Sequence, residues 1–293
     1  MVIVNVIGGL GNQMFQYSAG RALAYARGQA LRLDIADFDG YGLHQGFELQ
    51  RVFRCDGELA SAVEVRDILG WRAAPPVKRI LARPCVAALR GRAFVVEPHF
   101  PYWSGIRSVP ETAYLQGYWQ SEKYFADVVA MLRQDFTFTP PMSALNSALA
   151  ERIGHCKAVS IHVRRGDYVS DPKTRAVLGA CSLDYYREAV RYVAERVETP
   201  EFFIFSDDIN WARANLDIDL PSHYIGDNRG MESYNDMRLM SLCRHHILAN
   251  SSFSWWGAWL NPRDDKIVVA PARWFVGGER RVDDLFPQGW VVL

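Results

Sequence analysis

The sequence lacks an excess of charge of either sign, because its 293 residues include 33 Lys and Arg and 33 Asp and Glu. This balance argues against the strongly basic field with which nucleic-acid-binding proteins attract phosphates. Long hydrophobic runs are also lacking, and no segment reaches the roughly 20 apolar residues of a membrane-spanning helix. The apolar first residues have no basic segment before them and lead into glycines, so they predict a buried strand and not a signal peptide.

Cysteine is scarce and unpatterned. The five cysteines are odd in number and widely spaced, and they include no C-x-x-C pair of the kind that binds zinc or carries redox chemistry. We therefore expect a reducing compartment and a cytoplasmic protein. The 49% hydrophobic and 23% charged residues are typical of a globular chain, and the length suffices for two domains.

Strands and helices alternate along most of the chain. The first 34 residues predict a strand (2–7), a helix (12–27) and a second strand (30–34) around a glycine turn. Further strands are predicted at 112–116, 158–163, 201–205, 223–225, 246–250 and 266–270, and helices from 121, at 182–197, 209–216 and 231–244, and from 254. This alternation favours parallel sheets in an α/β fold. Adjacent prolines at 140 and 141 interrupt it, and we place two domains at 1–145 and 146–293.

Two adjacent arginines follow the strand over 158–163. A fixed cation at the mouth of a sheet suits a diphosphate, and the planar guanidinium of Arg165 can contact two oxygens without losing its charge. Asp167 then orients an arginine. The alternative is an exposed turn in which the arginine and the aspartate merely pair with each other.

Two further strand ends carry polar residues. Asp207 can accept hydrogen bonds from a ribose or a guanine edge, although it could instead cap the next helix. Ser251 and Ser252 open a helix, where hydroxyls and free N–H groups form an anion site, and Phe253 can flank a base. The alternative there is a simple helix cap beside a packed tryptophan pair.

The N-terminal glycine loop resembles part of a dinucleotide-binding fingerprint. Met14 occupies the position of the third glycine, so the fingerprint is incomplete, but an NAD-dependent oxidoreductase stays an alternative. The two D-x-D pairs, at 37–39 and 217–219, are too short to indicate a metal site, and we interpret them as loop acids.

Five segments in this order resemble the bacterial-type α-1,2-fucosyltransferase family and, more distantly, the α-1,6- and protein O-fucosyltransferases. The segments are Gly8-Gly-Leu-Gly-Asn-Gln-Met-Phe-Gln-Tyr17, Gln116-Gly-Tyr-Trp-Gln-Ser121, His162-Val-Arg-Arg-Gly-Asp167, Phe205-Ser-Asp-Asp208 and Ser251-Ser-Phe-Ser-Trp-Trp256. The resemblance implies a GT-B-like α/β fold of two facing Rossmann-like domains with mainly parallel sheets. It also implies that domain 1–145 binds the acceptor and domain 146–293 binds GDP-fucose.

The resemblance implies an inverting transferase that moves L-fucose from GDP-β-L-fucose to the 2-hydroxyl of a terminal β-galactose, without a metal or another cofactor. The partners are then GDP-fucose and a galactose-terminated oligosaccharide or lipid-linked glycan, as in O-antigen biosynthesis, and not nucleic acid. Three alternatives stay open: a GDP-sugar transferase of different linkage, a nucleotide-sugar-binding module without catalysis, and the NAD-dependent oxidoreductase.

The resemblance also implies the site residues. Departure of GDP places charge on the β-phosphate, so we expect Arg165 as the stabilising cation, Arg164 assisting or bracing it, and Asn12 near the reacting centre. The expected donor-binding residues are Gly9, Gly11, His162, Asp167, Asp207, Ser251, Ser252 and Phe253. The expected acceptor-binding residues are His44, Gln116, Tyr118 and Trp119, because sugars pack on aromatic rings, with core packing as the alternative for Trp119.

The sequence identifies no general base for the acceptor hydroxyl. An amide such as that of Asn12 is not a strong base, so we expect a dissociative mechanism in which the leaving phosphate finally takes the proton. Glu48, Asp34 and Asp39 are the other candidate bases.

The stretch over residues 71–92 is basic and contains no acid. Its basic residues are Arg72, Lys78, Arg79, Arg83, Arg90 and Arg92. Apolar residues lie between them, so the stretch could dock on anionic lipid on the inner face of a membrane, where a lipid-linked acceptor would be presented. The alternative is an ordinary solvated helix pair, because charge runs usually face water.

Overall fold

The computed structural model describes residues 1–277 and 281–293, which divide into two compact units. The first unit is Met1–Thr139 with Val282–Leu285, and the second is Pro140–Arg281 with Phe286–Leu293. The division after Thr139 lies in the segment whose prolines interrupt the predicted alternation. The assignment of the acceptor to domain 1–145 and of the donor to domain 146–293 stays a prediction.

The chain returns briefly to the first unit near its C-terminus. Asp284, within this return segment, accepts a hydrogen bond from the backbone N–H of Tyr102 at 3.1 Å. Its carboxylate also pairs with the ammonium group of Lys123. These contacts attach the return segment to the loop that precedes residue 113 and to the turn that follows residue 121.

A five-stranded parallel sheet belongs to the first unit. Its strands are β1 (Val2–Asn5), β2 (Leu31–Asp34), β3 (Glu58–Leu59), β4 (Phe94–Val96) and β5 (Ala113–Gln116). Their order across the sheet is β3-β2-β1-β5-β4. β1 is buried along its whole length, which explains why its sequence is apolar without alternation. The predicted strands that correspond to β1, β2 and β5 are confirmed, whereas β3 and β4 are too short to show a period.

The helices of the first unit are α1 (Leu10–Ala26), α2 (Leu49–Val52), α3 (Ala62–Leu69), α4 (Pro75–Leu81) and α5 (Val129–Asp135). A capping box that the sequence analysis missed begins α3, because the Ser61 hydroxyl accepts from the Glu64 N–H and the Glu64 carboxylate from the Ser61 N–H. The helix predicted from residue 121 starts later, because two 3₁₀ turns, Glu122–Tyr124 and Ala126–Val128, precede α5.

A core on one side of this sheet joins the sheet to two helices. Ile3 of β1 and Tyr114 of β5 pack with Val65 and Leu69 of α3 and with Leu81 of α4. These side chains are at least nine-tenths buried. Burial of apolar surface therefore fixes α3 and α4 on the sheet.

The second unit contains a six-stranded parallel sheet. Its strands are β6 (Lys157–Val163), β7 (Pro200–Ser206), β8 (Ser222–Ile225), β9 (His245–Ile247), β10 (Val268–Ala270) and β11 (Val291–Val292), in the order β11-β10-β9-β6-β7-β8. β6 and β7 pair in register from Lys157 beside Pro200 to Val163 beside Ser206. The residues that follow these two strands therefore emerge side by side at the carboxyl edge of the sheet, where ligands bind in such folds.

The helices of the second unit are α6 (Ala144–Gly154), α7 (Gly166–Ser170), α8 (Pro172–Val177), α9 (Leu183–Ala194), α10 (Ile209–Asn215), α11 (Tyr234–Leu242) and α12 (Ser252–Leu260). Tyr186, Ala189 and Val193 on one side of α9 pack in the core with Ile161 and Val163 of β6. The predicted parallel α/β architecture is confirmed. Within the described residues, no helix combines the length and the apolar character that crossing a membrane requires.

Candidate active site

Arg164 lies between two carboxylates at the carboxyl edge of the second sheet. Its Nη1 is 3.0 Å from Asp207 Oδ2, and its Nη2 is 2.6 Å from Asp167 Oδ1. Burial opposes its charge, but Asp207 and Asp167 outweigh burial and raise the pKa of Arg164. A Cβ at Gly166 would lie 2.7 Å from Asp207 Oδ2, so the glycine allows this approach. Two carboxylates therefore fix the direction in which the Arg164 guanidinium faces.

Arg165 has fewer contacts with carboxylates than Arg164 has, and part of its guanidinium is available to a ligand. Its guanidinium lies 3.7 Å from the centroid of the Trp211 ring, and its Nε is 3.4 Å from Asp208 Oδ2. Its backbone N–H donates to Asp207 Oδ1 at 2.8 Å. Among the described residues, nothing pairs with Nη1 or Nη2 of Arg165. The stacked ring orients the guanidinium, and its two terminal amino groups remain able to contact phosphate oxygens.

His162, two residues before Arg164, is a buried histidine with an open nitrogen. Its Nδ1 is buried and has no hydrogen-bond partner within the described part of the chain. Burial, opposed by Asp207 and assisted by Arg164, lowers the pKa of His162 to about 4. The ring is therefore neutral at pH 7 and stands 5.6 Å from the Phe253 ring. An unpaired buried nitrogen is rare in folded proteins and indicates a place for a ligand group.

The start of α12 lies next to this histidine. Ser251 is the N-cap of α12, and its hydroxyl accepts from the Phe253 N–H at 3.3 Å. This contact matches the alternative interpretation of Ser251 as a simple helix cap. Ser252 and Phe253 are half-buried, whereas Trp255 and Trp256 are fully buried and belong to the core. The first turn of α12 thus presents backbone N–H groups and a hydroxyl toward the strand ends.

Two polar residues of this unit escaped the sequence analysis. Asn250 is buried, and its Nδ2 donates to the carbonyls of Leu178, Gly179 and Trp274 within 3.1 Å, which holds the loop before Ser251 in place. Asp236 on α11 accepts from Asn228 Nδ2 at 2.8 Å. Burial, opposed by the hydrogen bond from Asn228 and assisted by the nearby acids Asp227 and Asp207, raises the pKa of Asp236 to about 7. An acid on the buried side of a helix is the signal that would have singled out Asp236.

The glycine loop at residues 8–11 occupies the carboxyl edge of the first sheet. Gly8 has a φ of 91°, a conformation that favours glycine. A Cβ at Gly9 would lie 3.3 Å from the ring of His44, so His44 sits directly beside the loop. The loop then enters α1, whose buried Gln13 donates from Nε2 to the carbonyls of Gly8 and Gly46, each at 2.8 Å.

Neutral amides orient Asn12. Gln120 Nε2 donates to Asn12 Oδ1 at 2.8 Å. The opposite group of the Asn12 amide, Nδ2, has no partner among residues 1–277 and 281–293. Gln16, fully buried on α1, accepts from the Ile7 N–H and donates to the Gly117 carbonyl at 3.1 Å. These amide contacts tie the ends of β1 and β5 together.

The predicted acceptor residues differ in their surroundings. Tyr118 is 48% exposed, and His44 is exposed beside Gly9. Trp119 is fully buried, with its ring 5.3 Å from Tyr124, an arrangement that matches the core-packing alternative. Gln116 has a buried Oε1 with no partner in the described chain.

Two of the candidate bases are already engaged. Asp34 is buried and pairs with Lys78 Nζ at 3.0 Å and with the Tyr114 hydroxyl. Burial raises its pKa, but these partners outweigh burial and lower it, so Asp34 is a weak base in this fold. Glu48 is buried and pairs with Arg51 at 2.7 Å. Asp39 lies in the loop after the 3₁₀ turn Ala36–Phe38 and is exposed.

The fold and the cationic edge define a class. The fucosyltransferase NodZ from Bradyrhizobium superimposes with a TM-score of 0.54 and 17% identity, covering 89% of this chain and 92% of that chain. A NodZ α-1,6-fucosyltransferase crystal soaked with GDP-fucose gives a TM-score of 0.55 and 15% identity, covering 92% and 94%. The protein has the GT-B-like α/β fold of these glycosyltransferases.

Sequence comparison narrows the class to one family. The model of glycosyl transferase family 11 matches residues 103–293. An α-1,2-colitosyltransferase of Escherichia coli is 35% identical over 99% of this chain and 98% of its own length. The O-antigen biosynthesis glycosyltransferase WbnK of Escherichia coli is 31% identical over 98% of each chain. The chain belongs to glycosyl transferase family 11 and is a glycosyltransferase, which confirms the family resemblance of its motifs.

Proposed function

We propose that the protein transfers L-fucose from GDP-β-L-fucose to the 2-hydroxyl of a terminal β-galactose, with inversion and without a metal. The observation that carries this proposal is the cationic edge of the second unit, where Arg164, Arg165 and the unpaired nitrogen of His162 converge beside the start of α12. The α-1,2 linkage in the name of the Escherichia coli relative supports it, as does the similarity of the fold to a NodZ α-1,6-fucosyltransferase whose crystal was soaked with GDP-fucose.

The charges suit departure of a nucleoside diphosphate. As the bond between the sugar carbon and the β-phosphate breaks, negative charge grows on the phosphate and positive charge on the sugar. Arg165 would contact the phosphate through its open Nη groups, and Arg164 would add a second, fixed positive charge. The N–H groups at the start of α12 would bind further phosphate oxygens. His162 and Asp207 would contact the guanosine, with Asp236 as an additional acceptor.

On the acceptor side, Asp34 and Glu48 are each held in an ion pair, so we expect neither to take the hydroxyl proton. In the dissociative mechanism that we expect, the bond to the β-phosphate breaks ahead of the bond that the acceptor oxygen forms to the sugar carbon. The departing diphosphate finally takes the hydroxyl proton. Asn12 would orient the acceptor through its Nδ2, because Gln120 fixes the other end of the amide. His44 and Tyr118 are the exposed side chains that would contact the acceptor sugar.

The α-1,2-colitosyltransferase relative favours a second candidate donor, GDP-colitose. Colitose differs from fucose by the absence of one ring hydroxyl, so the same phosphate site would serve both sugars. Discrimination would then depend on a polar group that pairs with that hydroxyl.

The test is a transfer assay with GDP-β-L-fucose and GDP-colitose as competing donors, lactose as acceptor and EDTA present. We expect transfer to the galactose 2-hydroxyl, identified by linkage analysis of the product. A thermal-shift comparison of GDP with NAD is the control for the oxidoreductase alternative, because only a bound ligand raises Tm. Stabilisation by NAD alone, or a product of different linkage, would contradict the proposal.

We also propose that the basic stretch over residues 71–92 contacts an anionic lipid surface. Lys78 is buried against Asp34, and Arg90 donates to carbonyls at the end of α4, so these two residues hold the fold. Exposed apolar and basic side chains surround them, namely Trp71, Ile80, Leu89, Arg79, Arg83 and Arg92. Exposed cations next to exposed apolar side chains fit a surface of anionic headgroups.

Co-sedimentation with phosphatidylserine vesicles at low and high salt tests this contact. We expect binding that weakens with salt and is lost when Arg79, Arg83 and Arg92 are changed to glutamine. The matched control changes three exposed arginines of the second unit, Arg187, Arg196 and Arg213, to glutamine. Equal loss in both variants would show a nonspecific charge effect and refute docking through this stretch.

A further inference from the structure

Glu97, which directly follows β4, is a half-buried residue whose carboxylate pairs with no cation among the described residues. No lysine, arginine or histidine pairs with it in the part of the chain that the structure describes. Its two oxygens instead accept backbone N–H groups, Oε2 from Tyr118 at 2.7 Å and Oε1 from Trp119 at 3.0 Å. Two donors facing two separate oxygens favour the ionised form, because an ionised carboxylate is the stronger acceptor and a protonated carboxyl carries a donor of its own.

The turn over residues 117–119, which follows β5, adopts a strained conformation around this carboxylate. Trp119 has a φ of 55°, in the left-handed region that a bulky side chain rarely adopts. A Cβ at Gly117 would lie 2.4 Å from Glu97 Cβ, so only glycine lets the chain pass this close. The hydrogen bonds to Glu97 therefore help to offset the strain at Trp119.

The same turn leads directly to Gln120, which contacts the Asn12 amide that we propose for the reaction. Gln120, the next residue, donates to Asn12 Oδ1, and the Gly117 carbonyl at the start of the turn accepts from Gln16 of α1. Both ends of the turn are thus attached to α1. The orientation of the Asn12 amide depends on where the turn places Gln120.

We propose that Glu97 is a positioning residue of the transfer reaction, whose ionised carboxylate holds the 117–119 turn and, through Gln120, the Asn12 amide in the arrangement that meets the acceptor. This inference rests on the proposed function, because it assumes that Asn12 faces the acceptor. Glu97 itself does not touch substrate in this arrangement and is not a catalytic base, since both its oxygens face the backbone.

The carboxylate titrates near neutrality. Burial raises the pKa of Glu97 to about 7, against the two N–H groups, which lower it. The titratable group that faces it from the neighbouring 3₁₀ turn is the Tyr124 hydroxyl, whose pKa burial raises, so it stays neutral. The paired charges of Lys123 and Asp284 lie beyond Tyr124, and His99 on the same loop is engaged with the Pro101 carbonyl. Protonation below about pH 7 therefore removes one acceptor and loosens the turn.

The first experiment compares pH profiles of transfer. For the wild type, we expect kcat/KM to fall as the pH drops below about 7, with the affinity for GDP unchanged. Glu97→Gln has one acceptor oxygen in place of two, so we expect a loss of about 10- to 100-fold in kcat/KM and no acid limb near pH 7. Glu111→Gln, the same change at an exposed carboxyl of the first unit, should behave as the wild type.

The second experiment does not depend on activity. Hydrogen exchange of the Tyr118 and Trp119 amides, corrected for the intrinsic pH dependence of exchange, should show protection that is lost below about pH 7 in the wild type. In Glu97→Gln, which keeps one acceptor oxygen, at least one of these two amides should be unprotected at every pH. Gly117→Ala, which forces the turn away from Glu97, should lose the same protection and lower kcat/KM to a similar extent.

The outcomes separate two failures. Absence of transfer by the wild type, with the exchange pattern as expected, would refute the role of the turn in this reaction together with the proposed function. Transfer by the wild type with a pH profile shared by Glu97→Gln would refute the inference and leave the proposed function standing. Unchanged protection of Tyr118 and Trp119 across pH would also overturn it, and this measurement needs only the wild type.

Discussion

The carboxyl edges of the two sheets, each of which carries candidate site residues, are held by different chemistry. At the first edge, neutral amides do most of the holding: Gln13, Gln16 and Gln120 join the glycine loop, the 117–119 turn and Asn12. At the second edge, full charges oppose each other, with Arg164 and Arg165 against three aspartates. An edge of amides suits a neutral ligand rich in hydroxyls, whereas an edge of charges suits a ligand that is itself charged.

The largest effect is expected from Arg164→Ala, which breaks the charged edge. The change removes a fixed cation and leaves Asp167 and Asp207 without their shared partner, so two like charges then face the ligand. We expect kcat/KM to fall by about 100- to 1000-fold and GDP affinity to fall with it. Steady-state kinetics and GDP titration measure both. Arg187→Ala, at an exposed pair on α9, is the control, and an equal loss there would contradict the argument.

Arg165→Lys tests the open donors of the charged edge. Lysine keeps the charge but loses the planar group that lies on Trp211 and can reach two oxygens. We expect a loss of about 10- to 100-fold in kcat/KM. Full activity of this variant would mean that charge by itself is sufficient at this position.

Asn12→Asp sharpens the comparison by placing a charge in the amide edge. Aspartate still accepts from Gln120, but an acceptor oxygen replaces the open Nδ2 donor. We expect a loss of about 10-fold or more in kcat with GDP affinity unchanged. Higher activity in the variant would indicate that a carboxylate at position 12 acts as a base toward the acceptor hydroxyl. It would contradict the argument that the amides of this edge suit a neutral ligand.

The smallest expected effect concerns stability at the charged edge. Because the pKa of His162 is about 4 in the folded chain and higher in the unfolded chain, the unfolded chain alone binds this proton between about pH 6.5 and 4. The free energy of unfolding should therefore decrease as the pH falls through this window. In His162→Asn, denaturant titrations should give a slope that is shallower by up to about 1.4 kcal/mol per pH unit. If the slope is the same in the wild type and in His162→Asn, the pKa of His162 does not differ between the folded and unfolded chains. Its Nδ1 would then be in contact with water in the folded protein.

The charged edge could be predicted from the sequence to a large extent. Regular strands and helices locate the carboxyl ends of β6 and β7, and the residues that follow those strands carry the charges. Their register brings Arg164 and Asp207 together, as parallel pairing of the two strands requires. The roles of Arg165, His162 and Ser251 toward a ligand stay predictions.

The amide edge was less predictable, because its contacts depend on tertiary placement. Glu97 follows a strand of three residues, and the N–H groups it binds lie 21 and 22 positions later in the chain. Neither the helical nor the strand period of a sequence relates residues that lie this far apart in the chain. Trp119 illustrates the same limit, since its positive φ and complete burial follow from the turn and not from its own preference. Gln120 likewise acquires its role only when the end of β5 meets α1.

The return of Val282–Leu285 to the first unit constrains how this protein can be recombined with its relatives. The chain passes between the units at three peptide bonds and not at one. A chimaera spliced once near residue 140 would therefore combine the body of one parent with a foreign version of Asp284, the residue that binds Tyr102 and Lys123. Exchange of the second unit between relatives needs a graft that leaves residues 282–285 with the parent that supplies the first unit.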